Sequence, residues 1–144
     1  MGETKRLMER NLDAWNAHDK ARWTRDFSDD CDVVVTGGMK GKGKDLKDLL
    51  YSIWTDAFPD NQIKPIAIIE DGEHGVLEAT FEGTHTGVFN VPGAPIQPTR
   101  KRVAVPFVSV EKVSGGQFKS FHVIFDQVEL MTQLGLMPAP VGRA

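Results

Sequence analysis

Four candidate β-strands follow one another in the second half of the chain, and this series constrains the fold more than any other feature. Apolar and β-branched residues predict strands over residues 63–70, 75–85, 101–111 and 117–125. Asp71-Gly72 joins the first two and Ser114-Gly115-Gly116 joins the last two as hairpin turns. Strands connected by turns this short pair antiparallel. This part of the chain therefore predicts a mostly antiparallel sheet.

Helices and one further strand are predicted in the rest of the chain. Apolar residues at helical spacing predict helices over residues 3–18, 20–27, 44–58 and 127–134, with Thr4 as the cap of the first. The β-branched run 31–36 predicts a strand that stops at Gly37-Gly38. This order of elements predicts an α+β fold, with helices packed on one face of a mostly antiparallel, curved sheet.

Length and charge narrow the class of protein. With 144 residues, the chain predicts a single domain, ordered over about residues 3–138 and followed by a short C-terminal tail. A formal net charge of -3 and the lack of a long basic block argue against nucleic acid as a partner. Charged residues recur through the N-terminal segment, so we expect no signal peptide, no membrane partner and a cytoplasmic location.

The sequence shows few features of a metal site or a cofactor site. The single cysteine, Cys31, excludes an internal disulfide and a cysteine-based zinc site. The histidines lack the close helical spacing of metal ligands, and no glycine-rich phosphate loop precedes a helix. We therefore expect neither a metal nor a cofactor.

His85 lies in the stretch FEGTHTG, at the end of a predicted strand. Side chains alternate across a strand, and His85 shares its face with Leu77, Ala79, Phe81 and Gly83. This apolar face is predicted to be buried. The alternation leaves open whether His85 lines a pocket or belongs to the ordinary core.

The last predicted strand carries two candidate catalytic residues on one face. Ser120, His122, Ile124 and Asp126 share that face, and Phe121, Val123 and Phe125 share the other. His122 and Asp126 are roughly 13 Å apart along the strand, so a ligand could lie between them. A carboxyl in an apolar cavity has a raised pKa and can remove a proton from carbon next to a carbonyl. Taken alone, Asp126 is better explained as the cap of the helix that follows it, and the two roles can coexist.

A long connection with three prolines precedes the third of the four strands. Residues 88–99 include apolar side chains among these prolines. Such a segment is either a lid over the mouth of the sheet or a plain surface excursion.

Four blocks in order resemble one known family. They are LDAWNAHD at residues 12–19, AFPD at 57–60, FEGTHTGVF at 81–89 and DQVELMTQLGLMP at 126–138. Together they are similar to the SnoaL-like polyketide cyclases, also called ester cyclases. The resemblance implies the cone-shaped α+β fold of nuclear-transport-factor-2-like proteins, with helices closing the open side of a bent sheet around a deep apolar pocket.

The resemblance also implies a reaction and roles for residues. Family members close a ring of an aromatic polyketide methyl ester by intramolecular aldol condensation, without metal or Schiff base. It implies that Asp126 is the acid/base group and that His85 lines the pocket. We expect His85 and His122 to hydrogen-bond the enolate or carbonyl, and we expect the substrate to contact aromatic side chains. These are Trp15, Trp54, Phe81 and Phe89, of which Trp15 is alternatively a core anchor of the first helix. A homodimer or homotetramer built through the outer face of the sheet is expected as well.

The chain departs from the family pattern, and other functions follow from that. His122 stands where relatives often carry tryptophan, Ser120 stands where they carry glutamate, and residues 91–100 form a longer, proline-rich turn. A non-catalytic protein that binds a small hydrophobic molecule is therefore the main alternative. An epoxide-opening enzyme ranks last, because it would need several inward carboxylates and an arginine around one water.

Overall fold

The structure, a computed structural model, describes residues 2–138, in which helices and strands follow one another largely in the predicted order. The helices are α1 (Glu3–Asn16), α2 (Lys20–Arg25), α3 (Gly43–Ala57) and α4 (Gln127–Gln133). The strands are β1 (Phe27–Val35), β2 (Met39–Lys42), β3 (Gln62–Asp71), β4 (His74–Thr84), β5 (Arg102–Ser114) and β6 (Gln117–Phe125). The predicted C-terminal tail after residue 138 lies outside the described residues.

All six strands form one sheet in the order β2-β1-β6-β5-β4-β3. Neighbours pair antiparallel except β1 and β6, which are parallel. The register shifts within the β1–β6, β3–β4 and β5–β6 pairs, and such irregularities bend strands. The predicted α+β class and the curved, mostly antiparallel sheet are confirmed.

Two boundaries in the first half of the chain differ from the prediction. The first strand stops before Gly37-Gly38 as predicted, but it begins at Phe27 instead of at residue 31. The two glycines, with φ values of 102° and 103°, form a turn into β2, a strand that the sequence did not predict. The second helix is shorter than predicted. It ends at Arg25, and Phe27 already begins β1 and pairs with Phe118 of β6.

The cap predicted for α1 is also corrected. Thr4 lies inside the first turn, where its hydroxyl donates to the carbonyl of Gly72 at 2.7 Å. The free amides at this helix end are instead satisfied from β3. The Glu70 carboxylate accepts from the backbone N–H groups of Gly2 at 2.7 Å and Lys5 at 2.9 Å. A long-range contact therefore replaces the local cap.

Helices α1, α2 and α3 cover the inner face of the sheet and pack there through aromatic side chains. One aromatic cluster surrounds Trp23, whose ring centroid is 5.1 Å from Trp15 and 6.1 Å from Phe121. A second surrounds Trp54, whose ring is 5.2 Å from Phe81 and 5.5 Å from Phe125. The space between the two clusters is where a ligand site can form.

No helix within residues 2–138 combines the length and apolar character needed to cross a membrane.

Candidate functional site

A cavity of about 90 Å³ lies between the helices and the inner face of the sheet. Side chains of α1, α2 and α3 form one wall, and inward side chains of β3, β4, β5 and β6 form the other. The lining is mostly apolar. Its polar members are Asn11, Ser109 and Glu111, together with the indole rings of the tryptophans. A few polar groups in a mostly apolar cavity are typical of a ligand-binding or active site.

Glu111 is the carboxyl group of this cavity. Its residue is only 4% exposed, and burial raises the pKa of its side chain to about 8. The Ser109 hydroxyl donates a hydrogen bond to Oε2 of Glu111, which partly opposes that rise. Glu111 is therefore mostly protonated at neutral pH, with an accessible ionised form. Such a group can both take and give a proton.

The alternation of β5 explains why a glutamate lies inside. The buried residues of β5 are separated by even numbers of positions, so their side chains share the inner face of the sheet. They are Val103, Val105, Ser109, Glu111 and Val113. The strand was predicted to end at Glu111, whereas β5 continues to Ser114, and Glu111 was not among the predicted site residues. Counting the same alternation through the predicted strand would have revealed an inward carboxyl.

Hydrogen bonds fix two other polar groups of the lining. The Asn11 side-chain amide donates to the carbonyl of Trp23 at 3.0 Å and to Oδ2 of Asp26 at 3.1 Å. The indole N–H of Trp15 donates to Oδ1 of Asn61 at 2.6 Å, so Trp15 presents its ring to the cavity. Both side chains are held in place by the protein itself.

Three of the four aromatic residues predicted to contact substrate line the cavity. Trp15, Trp54 and Phe81 belong to its wall, while Phe89 lines a neighbouring cavity. The structure thus brings the four into one region. Their contact with a substrate remains a prediction.

His85 is fully buried, but it does not line either cavity. Its Nδ1 accepts from the backbone N–H of Thr99 at 3.1 Å and lies 3.0 Å from the Thr99 hydroxyl oxygen. The ring packs between Phe58 and Phe89, and burial lowers the pKa of the imidazole. Its Nε2 has no hydrogen-bond partner among the described residues. Of the two alternatives, the structure places His85 in the core.

His122 and Asp126 are not among the residues that line the two cavities. Phe121, Val123 and Phe125 of β6 line the cavity, which puts His122 on the outer face between Val34 and Val110. Asp126 is exposed, and its Oδ1 accepts from the backbone N–H of Glu129 at 3.1 Å as the N-cap of α4. The capping role is present. The catalytic role implied for Asp126 stays a prediction.

The proline-rich connection covers a second cavity of about 100 Å³. Phe89 pairs with Ile96 across the loop, and Phe89, Val91 and Pro92 line this cavity. The loop is therefore a cover over an internal space. This arrangement matches the lid alternative more closely than the surface excursion.

No arrangement for a bound metal is visible in the part of the chain that the structure describes. Within residues 2–138, histidine, cysteine, aspartate and glutamate side chains form no group of three or more that could hold an ion. Glu111 stands as the lone carboxyl in its cavity lining. Glu111 can supply proton transfer and hydrogen bonding in this cavity.

Comparison with known proteins places the chain among proteins of this shape. AclR, a candidate hydroxylase from Streptomyces galilaeus, has a TM-score of 0.82 at 24% identity, covering 97% of this chain and 85% of its own. A candidate SnoaL-like polyketide cyclase from Jannaschia sp. CCS1 has a TM-score of 0.82 at 19% identity, covering 94% of both chains. A nuclear-transport-factor-2-like protein from Burkholderia pseudomallei has a TM-score of 0.74 at 16% identity, covering 93% of this chain and 98% of its own.

These likenesses show a shared fold, and a family model supplies the closer assignment. No curated protein matches the sequence significantly. The model of the SnoaL-like polyketide cyclases, by contrast, matches residues 5–134, which is nearly the whole chain. The conserved shape, the enclosed cavity and this match agree with one another. The chain belongs to the SnoaL-like polyketide cyclase family.

Proposed function

We propose that the protein is a cofactor-independent enzyme that closes a ring in a hydrophobic carbonyl compound by acid/base catalysis, with Glu111 as the group that moves the proton. The observation that carries this proposal is a buried carboxyl, with a pKa of about 8, in a cavity lined mostly by apolar side chains. A general base works best when its pKa lies near the working pH. Family membership supports a cyclase-like reaction.

The reaction begins at a carbon flanked by two carbonyl groups. About one tenth of Glu111 is ionised at pH 7, given its pKa of about 8. The carboxylate takes a proton from that carbon, and the electrons of the C–H bond move into an enolate. The enolate carbon then attacks a second carbonyl of the same molecule, forming the ring bond and an alkoxide. The protonated Glu111 returns its proton to the alkoxide, so the enzyme is regenerated.

The remaining lining positions the substrate. Ser109 holds the Glu111 carboxyl through its hydroxyl, which limits the directions in which the carboxyl can face. Trp15, Trp54 and Phe81 supply rigid apolar walls. Holding a flexible substrate in its reactive geometry removes much of the entropic barrier to ring closure. These walls therefore contribute to rate as well as to binding.

Proton exchange at carbon tests the proposal without knowledge of the natural substrate. Methyl acetoacetate carries a methylene between two carbonyls, and nuclear magnetic resonance in D₂O follows loss of its C–H signal. The protein should accelerate this exchange above the buffer rate, and Glu111→Gln should remove the acceleration because an amide cannot accept the proton. Glu78→Gln is the matched control, since Glu78 is exposed on the neighbouring strand β4. Undiminished exchange in Glu111→Gln would refute the role of Glu111.

A binding protein without catalysis is the second candidate. The small size of the cavity and the dominance of apolar groups in its lining favour it. In that case a hydrophobic compound that copurifies with the protein is recovered chemically unchanged after incubation. Its affinity would also be nearly equal at pH 5 and pH 7, since Glu111 is mostly protonated at both. Mass spectrometry of the purified protein and its bound compound separates the two functions.

A further inference from the structure

Two cavities lie on opposite sides of one pair of aromatic rings. The first, about 90 Å³, contains Glu111, and the second, about 100 Å³, lies under the loop that carries Val91 and Pro92. Trp54 and Phe125 line both of them. Their ring centroids are 5.5 Å apart and their planes meet at 83°. This edge-to-face pair is the part of the wall that the two cavities share.

Each cavity alone is small for an organic ligand. An apolar cavity of about 150 Å³ binds benzene, and each of these two is smaller than that. Together they enclose about 190 Å³ before any side chain moves. A ligand with a ring or a long chain therefore fits only if the two spaces join.

Aromatic packing holds the shared wall in place, since Trp54 contacts the rings of Phe58, Phe81, Phe89 and Phe125. Trp15 is anchored by its hydrogen bond to Asn61, but the Trp54 indole N–H has no hydrogen-bond partner among the described residues. Trp54 and Phe125 are also only partly buried. Their contacts are with other aromatic rings, including Phe89 of the covering loop. An apolar ligand that passes between Trp54 and Phe125 would offer ring contacts in place of those that it breaks.

Strand geometry gives the length of the joined space. Glu111 pairs with Phe121 across β5 and β6, and Phe125 lies four residues further along β6. At about 3.3 Å per residue, the Glu111 end and the Phe125 end are separated by roughly 13 Å. A molecule that reaches from Glu111 into the second cavity must therefore be elongated.

We propose that the two cavities are compartments of one ligand channel, that Trp54 and Phe125 form the gate between them, and that the ligand is an elongated apolar carbonyl compound. Its carbonyl end lies at Glu111, and its apolar chain or fused rings pass the gate and end beneath Val91 and Pro92. The position of the carbonyl end rests on the function proposed above. The channel and the length of the ligand do not depend on that function.

Equilibrium dialysis with two probes tests the channel. The probes are methyl acetoacetate and the β-keto methyl ester of a fourteen-carbon acid. Val91→Trp fills the second compartment from the loop, and Asn90→Trp places the same side chain on the adjacent exposed position, which lines neither compartment. The wild type should bind the long ester at least about tenfold more tightly than the short one. Val91→Trp should abolish that preference and leave the short ester unchanged, while Asn90→Trp should behave like the wild type.

Each outcome decides a separate question. A long-to-short preference that survives in Val91→Trp, or one that both variants lose equally, overturns the channel. Unchanged binding of the short ester shows that Val91→Trp is folded around the first compartment. Glu111→Gln in the proton-exchange assay separates the two proposals. If it retains proton exchange while Val91→Trp loses the preference, the channel stands and the catalytic role of Glu111 falls.

Discussion

The Ser109 hydroxyl donates a hydrogen bond to the Glu111 carboxyl two residues along β5, inside an apolar cavity. Burial raises the pKa of Glu111 to about 8, and the hydrogen bond from Ser109 acts in the opposite direction. Two neighbouring residues on one face of one strand therefore set the proton affinity of the site. We therefore expect the stability and the activity of the protein to depend on pH through this pair.

The first prediction concerns stability against pH. An exposed glutamate has a pKa of 4.5, whereas folded Glu111 has a pKa of about 8. Between these values the folded state binds more protons than the unfolded state, so the free energy of unfolding falls as pH rises from 4.5 to 8 and then levels off. The slope is about 1.4 kcal/mol per pH unit at its steepest. Glu111→Gln should lack this fall and should be more stable than the wild type at pH 9.

Urea denaturation at pH 5, 7 and 9 measures this difference. Glu78→Gln serves as the control, because the same change on an exposed side chain should leave the wild-type profile intact. Parallel stability profiles for the wild type and Glu111→Gln would contradict a buried, protonated carboxyl.

The second prediction concerns the pH profile of activity. Ser109→Ala removes the hydrogen bond that lowers the pKa of Glu111, so that pKa should rise further above its ordinary value. Less Glu111 is then ionised at pH 7, and the rate of proton exchange from methyl acetoacetate should fall there while the profile moves to higher pH. Ser120→Ala changes the same residue type on the partly exposed strand β6 and should leave the profile in place. A uniform loss of rate at every pH would show that Ser109 does not act through the pKa of Glu111.

The third prediction concerns His85 and acid. Burial lowers the pKa of His85 from 6.5, so the folded state favours the neutral ring that accepts from the Thr99 N–H. Below pH 6.5 the unfolded state takes up the proton first, and His85 therefore makes the free energy of unfolding fall as pH decreases. His85→Asn keeps an acceptor but cannot be protonated, so the change in melting temperature from pH 7 to pH 5 should lose this acid-sensitive part.

The test for His85 compares the acid sensitivity of two variants, His85→Asn and His74→Asn. His74→Asn makes the same replacement at an exposed position at the start of β4, and its profile should follow the wild type. His85→Asn is expected to be less stable at every pH, since it leaves space beside Phe58 and Phe89. An acid sensitivity equal to that of the wild type would show that His85 is not the group that titrates.

Local sequence patterns predict the fold well and the site only in part. Alternation and turn residues predict β4, β5 and β6 with small errors at their ends, because these strands are long and because glycine turns join β3 to β4 and β5 to β6. Local patterns do not predict which face of a strand lies under the helices. Alternation along β6 divides Phe121 from His122, but the side on which the helices lie depends on packing between distant segments. Glu111 was readable from the alternation of β5, whereas the Glu70 carboxylate that caps α1 belongs to a distant strand and leaves no local signal.

The fourth prediction concerns association of two copies through the outer face of the sheet. Family resemblance leads us to propose a homodimer or homotetramer, and apolar side chains on this face support it. Ile69 is 64% exposed, Ile124 is 55% exposed and Val110 is 38% exposed. Ile124→Lys should therefore shift the protein to monomers in size-exclusion chromatography with light scattering. Leu49→Lys, a control on the exposed side of α3, should not. A monomeric wild type at all concentrations would contradict the proposal.

The last prediction separates Asp126 from Glu111. Asp126 accepts from the Glu129 N–H at the start of α4, and asparagine caps helices about as well as aspartate. Asp126→Asn should therefore keep both the melting temperature and the proton exchange, while Asp126→Ala should lose about 1 kcal/mol of stability through the missing cap. Exchange lost in Asp126→Asn with stability intact would instead support the acid/base role that the family resemblance implies. Since Asp126 is exposed in this structure, that result would also require the end of β6 to close over the substrate before the proton moves.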